Sequence, residues 1–237
     1  MKFWAVKKKG NRGQLDLYGI ISSTSWYGDE VTATQFKADL DNLGDIEALD
    51  VFINSDGGDV FAGQAIHSML KRHKAYVTVY IDGVAASIAS VIAMAGDKVV
   101  MPRNALMMIH NPSTAVRGNA ADFRKMADTL DNLRESLVAA YQDKTGLDRD
   151  ELIAAMDAET WISAEEAVRK GFADEIEASK SIAACINEQG GLTINGLPVD
   201  LNKYHNAPQI VAQKATPKRS LFYFEQICKT NERGETQ

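Results

Sequence analysis

Cysteine is nearly absent from these 237 residues. The two that occur, Cys185 and Cys228, stand far apart and outside any Cys-x-x-Cys or Cys/His cluster. They offer no disulfide framework and no zinc site, so no metal or other cofactor is expected. Long apolar runs are also missing. The longest, residues 84–95, is broken by Ser87 and Ser90 and is too short to cross a bilayer as a helix, so no membrane partner is expected. The start, Met1-Lys2-Phe3-Trp4-Ala5-Val6-Lys7-Lys8-Lys9, has neither the apolar stretch nor the small-residue cleavage site of a secretory signal, and a cytoplasmic location is the expectation. Excess positive charge is lacking too. The net charge of −6 gives no reason to expect nucleic acid, although residues 201–237 carry +3 and the rest −9.

What is present is apolar content of 45%, enough to bury a sizeable core. Residues 14–22 read as a strand bent at Gly19. Thr32-Ala33-Thr34-Gln35 has capping-box spacing ahead of a helix with Phe36, Leu40 and Leu43 on one face. A strand over 48–54 runs into Ser55-Asp56-Gly57-Gly58, and Ala62, Ala65, Ile66, Met69 and Leu70 then recur at helical spacing. The unit repeats as a strand over 76–81, a turn at Asp82-Gly83 and a helix over 85–95, followed by strands over 98–101 and 105–109. Alternation with such short connections predicts an α/β fold with a mainly parallel sheet.

Asn119, with Asp122 three residues on, opens a long helix closed by Gly146. Its stripe of Phe123, Met126, Leu130, Leu133, Leu137, Val138 and Tyr141 is longer than one small domain covers, and packing on another subunit or an intramolecular hairpin would explain it. Ser163-Ala164-Glu165-Glu166 opens a short helix ending at Gly171, and 172–176 reads as a last strand. Residues 192–197 suggest a hairpin, and the polar tail beyond suggests disorder.

Three segments place chemistry at the carboxyl ends of strands, where α/β sheets build their sites. Gly57-Gly58 permits a turn that leaves a peptide N–H free for an oxygen, or is merely a turn. Ser87, entered through Gly83-Val84-Ala85-Ala86, stands at the first turn of a buried helix with the Ile88 N–H beside it, as a nucleophile would, or as a simple N-cap would. His110, between Ile109 and Asn111-Pro112, is held at the edge of the core, where it could take a hydroxyl proton or rest as a satisfied core histidine. His67, His73 and His205 are weaker candidates. Coincidence of all three features in one sheet favours the chemical reading, which then needs a carboxylate to orient the histidine.

At these residues the sequence resembles the Clp protease proteolytic subunit. Asn54-Ser55-Asp56-Gly57-Gly58 is similar to that family's Asn-Ser-Pro-Gly-Gly turn, with Asp56 in place of proline. Gly83-Val84-Ala85-Ala86-Ser87 resembles its nucleophile motif and Met108-Ile109-His110-Asn111-Pro112 its histidine motif. Trp161-Ile162-Ser163-Ala164-Glu165-Glu166-Ala167 is similar to the segment after its third catalytic residue. The likeness implies a Clp/crotonase-type spiral ββα fold with a long protruding handle helix. It implies a basic segment over 1–14, a peptidase domain over 15–178 and a C-terminal extension over 179–237.

The resemblance also implies a serine endopeptidase with Ser87 as nucleophile, His110 as base, and the N–H groups of Gly58 and Ile88 as oxyanion donors. Glu159 falls where the family has aspartate, and Asp157 is the alternative. The substrate would be protein or peptide, and the assembly a homo-oligomer of stacked, heptameric rings, with residues 116–144, a strand-like piece and then the long helix, joining them. The short lysine-rich start argues against a partnership with a Clp-type AAA+ unfoldase. With Trp26-Tyr27-Gly28-Asp29 and Glu159-Thr160-Trp161, the sequence is most similar to phage and prophage head-maturation proteases. An ATPase-dependent proteolytic subunit, an acyl-CoA enzyme of the crotonase superfamily and a catalytically decayed ring scaffold stand as alternatives.

Overall fold

The computed structural model describes residues 6–25 and 30–177, and beyond them the backbone of three short strands between 184 and 199. Residues 26–29, Cys228, His205, the side chain of Cys185 and the polar tail lie outside the described set.

Strand β1 (Val6–Lys9) runs antiparallel to β2 (Arg12–Tyr18), whose alternation sends Leu15 and Leu17 inward. Gly19, at φ +94, makes the anticipated bend, and β3 (Ile21–Ser22) pairs in parallel with β4 (Val31–Thr32). Thr32 caps α1 (Ala33–Asn42) by accepting the Gln35 N–H, while the Gln35 amide turns to Asp39 instead of completing a box. Phe36 and Leu40 bury the inner face of α1. Next come β5 (Ala48–Ser55), with Leu49, Val51 and Ile53 inward, and α2 (Val60–Lys71), capped by Asp59 and burying Ala62, Gly63, Ile66 and Leu70.

The following element departs from the sequence reading. β6 (Tyr76–Ala86) continues through Asp82-Gly83, where a turn was expected, and the helix α3 (Ile88–Ala93) begins only after Ser87. The cause is a change of partners. The first half of β6 pairs with β5 and with β7 (Lys98–Pro102), while Val84, Ala85 and Ala86 pair in parallel with Leu106, Met107 and Met108 of β8 (Leu106–Ile109). Ladder hydrogen bonds from a second neighbour keep small residues extended that local pattern would coil.

No strand forms over residues 116–119, at the start of the 116–144 segment where a strand-like piece was read before the long helix, and among the described residues no strand lies paired with them. Helix α4 (Ala120–Thr145) then starts on a full capping box between Asn119 and Asp122 and ends on Gly146 in the left-handed region. Two elements that the sequence pattern did not reveal follow: α5 (Arg149–Asp157), capped by Asp148, and β9 (Thr160–Ser163), antiparallel to β8. Ser163 caps α6 (Ala164–Lys170), closed by Gly171, and β10 (Glu175–Glu177) begins three residues later than expected.

The main sheet runs β1-β2-β5-β6-β7-β10, parallel from β2 onward, with β8 and β9 branching from the end of β6. This is the α/β class that the alternation predicts. The strands β11 (Ala184–Ile186), β12 (Leu192–Ile194) and β13 (Leu197–Val199) form a separate antiparallel sheet, and the last two give the expected hairpin pairing. Among the described residues no helix is long and apolar enough to cross a membrane.

The stripe of α4 is fully buried only at its C-terminal end, at Leu137, Val138 and Tyr141, while Met126, Leu130 and Leu133 are half-buried. Phe123 remains 50% exposed and Val116 38%. Packing on another subunit, one of the two explanations that the sequence offers for the stripe, would cover Phe123. Phe123→Asp is expected to leave the melting temperature of the folded chain within a degree or two, since exposed substitutions change stability by about 0.5 kcal/mol or less. It should lower the mass of the assembly seen by sedimentation velocity, and an unchanged sedimentation profile would refute the contact.

Candidate active site

The glycine turn is built tightly against its neighbours. Asn54 and Ser55 are buried at the end of β5. The Asn54 side-chain oxygen accepts the Val84 N–H at 3.2 Å, and the Ser55 hydroxyl donates to the Gly19 carbonyl at 2.6 Å while accepting the Gly57 N–H at 3.1 Å. Gly57 (φ +96) and Gly58 (φ +147) take backbone angles that side chains disfavour. A Cβ at 57 would stand 2.7 Å from the Ser87 Cβ, and one at 58 would stand 2.0 Å from the Ile21 carbonyl oxygen. Ile21 clasps the turn from outside, donating to Gly57 O at 2.9 Å and accepting from Asp59 N at 2.8 Å. The Gly58 N–H is left without an acceptor among the described residues, on an exposed part of the turn. Asp56, where proline was the comparison, is half-buried and leaves these bonds in place.

Ser87 sits at a sharp elbow between β6 and α3, with φ 56 and ψ −130. Such a conformation costs a non-glycine residue about 1–3 kcal/mol and persists only where its surroundings enforce it. Here the fully buried Ala85 and Ala86 lock into β8, and the Ser87 N–H donates to Met108 O at 2.9 Å. The side chain does not cap its helix, so its hydroxyl is available to an outside partner. That partner is His110, whose Nε2 lies 2.8 Å from Ser87 Oγ. Since α3 has only six residues, its dipole counts for little, and what matters is the Ile88 N–H, which opens the helix without an intrahelical acceptor.

His110 follows the last residue of β8 and is half-buried. Burial lowers its pKa below the ordinary histidine value, and the negative charge of Glu159 partly opposes this. The register explains why Glu159 is near. Ile109 pairs with Thr160 in the antiparallel β8–β9 ladder, so the next residue on each strand, His110 and Glu159, face one another where the ladder ends. Glu159 also has positive φ, 47°, and with Ser87 forms the pair of non-glycine residues in that region among those described. Its carboxylate accepts the Trp161 indole N–H at 3.4 Å.

Asp157 turns elsewhere. It accepts from the Asn111 side chain at 2.7 Å and lies 3.9 Å from Arg134. Of the remaining histidines, His73 accepts the Ala75 N–H at 3.1 Å, and His67 sits on α2 with its pKa lowered mainly by burial. No group of three or more His, Cys, Asp or Glu side chains able to hold a metal occurs among the described residues.

Two residues at the elbow escaped the sequence reading. Ser90 looked like an ordinary helix serine, and Tyr141 like one more apolar position of the α4 stripe. The structure hydrogen-bonds the two together, at 2.7 Å, directly behind Ser87. Only the rarity of a tyrosine hydroxyl on a core-facing stripe could have signalled this.

Comparison with known proteins places this geometry. The family model described as Clp protease matches residues 20–180. An ATP-dependent Clp protease proteolytic subunit from Deinococcus radiodurans is 36% identical over 140 residues, 58% of this chain and 68% of that protein. Relatives of the same name from Bacteroides fragilis and Bacteroides thetaiotaomicron are 33% and 30% identical, each over 64% of this chain and over 76% and 71% of their own lengths. A match that takes in the glycine turn, the serine elbow, the histidine and the glutamate, and that covers more than half of the residues, means that the chain belongs to the Clp protease family.

Proposed function

We propose that the chain is a serine endopeptidase in which Ser87 is the nucleophile, His110 the general base and Glu159 the carboxylate that orients the imidazole. The observation that carries this reading is the 2.8 Å contact between Ser87 Oγ and His110 Nε2 at a strained elbow that exposes the hydroxyl. An acyl-CoA enzyme of related fold would have no need of that contact.

In this mechanism Ser87 Oγ attacks the scissile carbonyl carbon as its proton passes to His110 Nε2. The imidazolium that forms is stabilised by Glu159 across the strand end, and the oxygen of the tetrahedral intermediate is received by the N–H groups of Gly58 and Ile88. Collapse returns the proton from His110 to the leaving amine and leaves an acyl group on Ser87. Water, deprotonated by the same imidazole, then releases it. A base of depressed pKa is neutral at cytoplasmic pH and ready to accept the first proton.

The exposed Phe123 on α4 supports packing on another subunit, and the family likeness implies stacked, heptameric rings that would shield such sites from bystander proteins. Within them the reading is a maturation protease of the phage or prophage head type, which cuts accessible linkers without an ATPase. The name shared by the relatives, ATP-dependent Clp protease proteolytic subunit, favours a second reading in which an unfoldase feeds the rings.

Three outcomes are expected. Fluorophosphonate should label the purified chain at Ser87, and Ser87→Ala should lose both labelling and at least 10³-fold of peptide hydrolysis; parental activity in the alanine variant would sink the nucleophile assignment. Glu159→Gln should lower kcat by about 10²–10⁴-fold, whereas Asp157→Asn should stay within a few-fold of the parent. Because Glu159 raises the His110 pKa and activity requires the neutral imidazole, the acid limb of the pH profile should move to lower pH in Glu159→Gln. A limb that stays put, or moves up, contradicts the role. Last, a folded protein carrying an unstructured linker should be cut by the chain alone. Cleavage seen only with ATP and a Clp unfoldase added would establish the second reading instead.

A further inference from the structure

The carbonyl of Ser87 is held more firmly than a helix start requires. It accepts the Ser90 N–H at 3.0 Å, as the first turn of α3 dictates, and also the Ser90 hydroxyl at 2.5 Å. Ser90 is 0% exposed and its single hydroxyl hydrogen is committed to Ser87. The hydrogen in the 2.7 Å contact between Ser90 Oγ and the Tyr141 hydroxyl must therefore come from Tyr141, itself 1% exposed. The result is a buried chain of donors, from Tyr141 on α4 through Ser90 on α3 to the Ser87 carbonyl.

That carbonyl and the Ile88 N–H belong to one peptide unit. A trans peptide is planar and its C=O and N–H point in opposite directions, so fixing the oxygen aims the N–H. Successive donation along the chain also polarises the peptide, which makes its N–H a stronger donor. We propose that Ser90 and Tyr141 are positioning residues that aim the Ile88 N–H at the developing oxyanion and tie that aim to the root of α4. The inference rests on Ser87 being the nucleophile.

Two features argue against simple satisfaction of buried polar atoms. Packing alone would be served by a phenylalanine at 141, whose ring could keep the edge-on contact with Phe172 at 5.9 Å between centroids. A buried hydroxyl that must then be satisfied brings no gain over that ring. The elbow, in contrast, needs restraint on both sides. Met108 O holds the peptide before Ser87 through its N–H, and the Ser90–Tyr141 chain holds the peptide after it. Without the side-chain chain, the peptide after a residue at φ 56 would rest on the backbone bonds of the first helical turn, such as that from the Ser90 N–H, which fix its direction less closely.

The test compares the full chain with Tyr141→Phe, Ser90→Ala and the double variant, using a fluorogenic peptide and a peptide boronate whose boron hydroxyl occupies the oxyanion position. Loss of a whole oxyanion donor costs about 10²–10³-fold, so misaiming one is expected to lower kcat about 10-fold in each single variant. KM should stay within twofold, boronate affinity should fall by the same factor as kcat, and the acid limb should not move because His110 is untouched. The double variant should be no worse than Ser90→Ala, since both remove the same chain. Unchanged kcat and boronate affinity, a shifted acid limb, or additive losses in the double variant would overturn the proposal. Should Tyr141→Phe fail to fold, Ser90→Ala decides alone, because it deletes a single oxygen. Absence of Ser87 labelling in the parent would instead remove the nucleophile reading, and this inference with it.

Discussion

The site depends on a three-residue parallel ladder. By pairing with residues 106–108 instead of coiling, residues 84–86 carry β6 beyond the body of the sheet, deliver Ser87 to the end of β8 and set it beside the histidine that follows Ile109. Small side chains make this possible. Ala85 and Ala86 are fully buried, and Gly57 approaches so closely that even a methyl group would strike Ser87. The strain at Ser87 is sustained by this packing and by hydrogen bonds to both flanking peptides, as an over-determined local conformation requires.

Electrostatics at the site follow from the same ladder. Because β9 lies antiparallel on β8, the residue before Thr160 faces the residue after Ile109, and a carboxylate is set against an imidazole whose burial otherwise disfavours charge. Glu159 takes a positive φ at this point, just before the strand begins. The two non-glycine residues with positive φ among those described are thus the two outer members of the proposed triad, and local strain is concentrated where chemistry is proposed.

Helix α4 links this chemistry to the surface. Its buried end reaches the elbow through Tyr141 and Ser90, and its other end carries the exposed Phe123. A helix of 26 residues spans about 39 Å at about 1.5 Å per residue. Any chain that seats on the exposed end therefore meets a rigid element rooted directly behind Ser87.

Much of this was legible in the residues themselves. The period-two strands over β2 and β5, the capping signals at Thr32, Asn119 and Ser163, the closing glycines at 146 and 171, and the Gly57-Gly58, Ser87 and His110 motifs all act locally, through side chains that bond or clash within a few residues of chain. The sequence by itself therefore determined the α/β class, the long helix and the candidates for the reactive groups. It misread Asp82-Gly83 as a turn and passed over β9, because those outcomes rest on which strand lies alongside and local pattern does not contain the neighbour; the short helix α5, although capped by Asp148, also went unread. Tertiary structure alone decided that β6 would change partners at Val84, that Asp157 would turn to Asn111, and that Ser90 and Tyr141 would meet. Each of these is a contact between segments distant in sequence, set by sheet register and core packing.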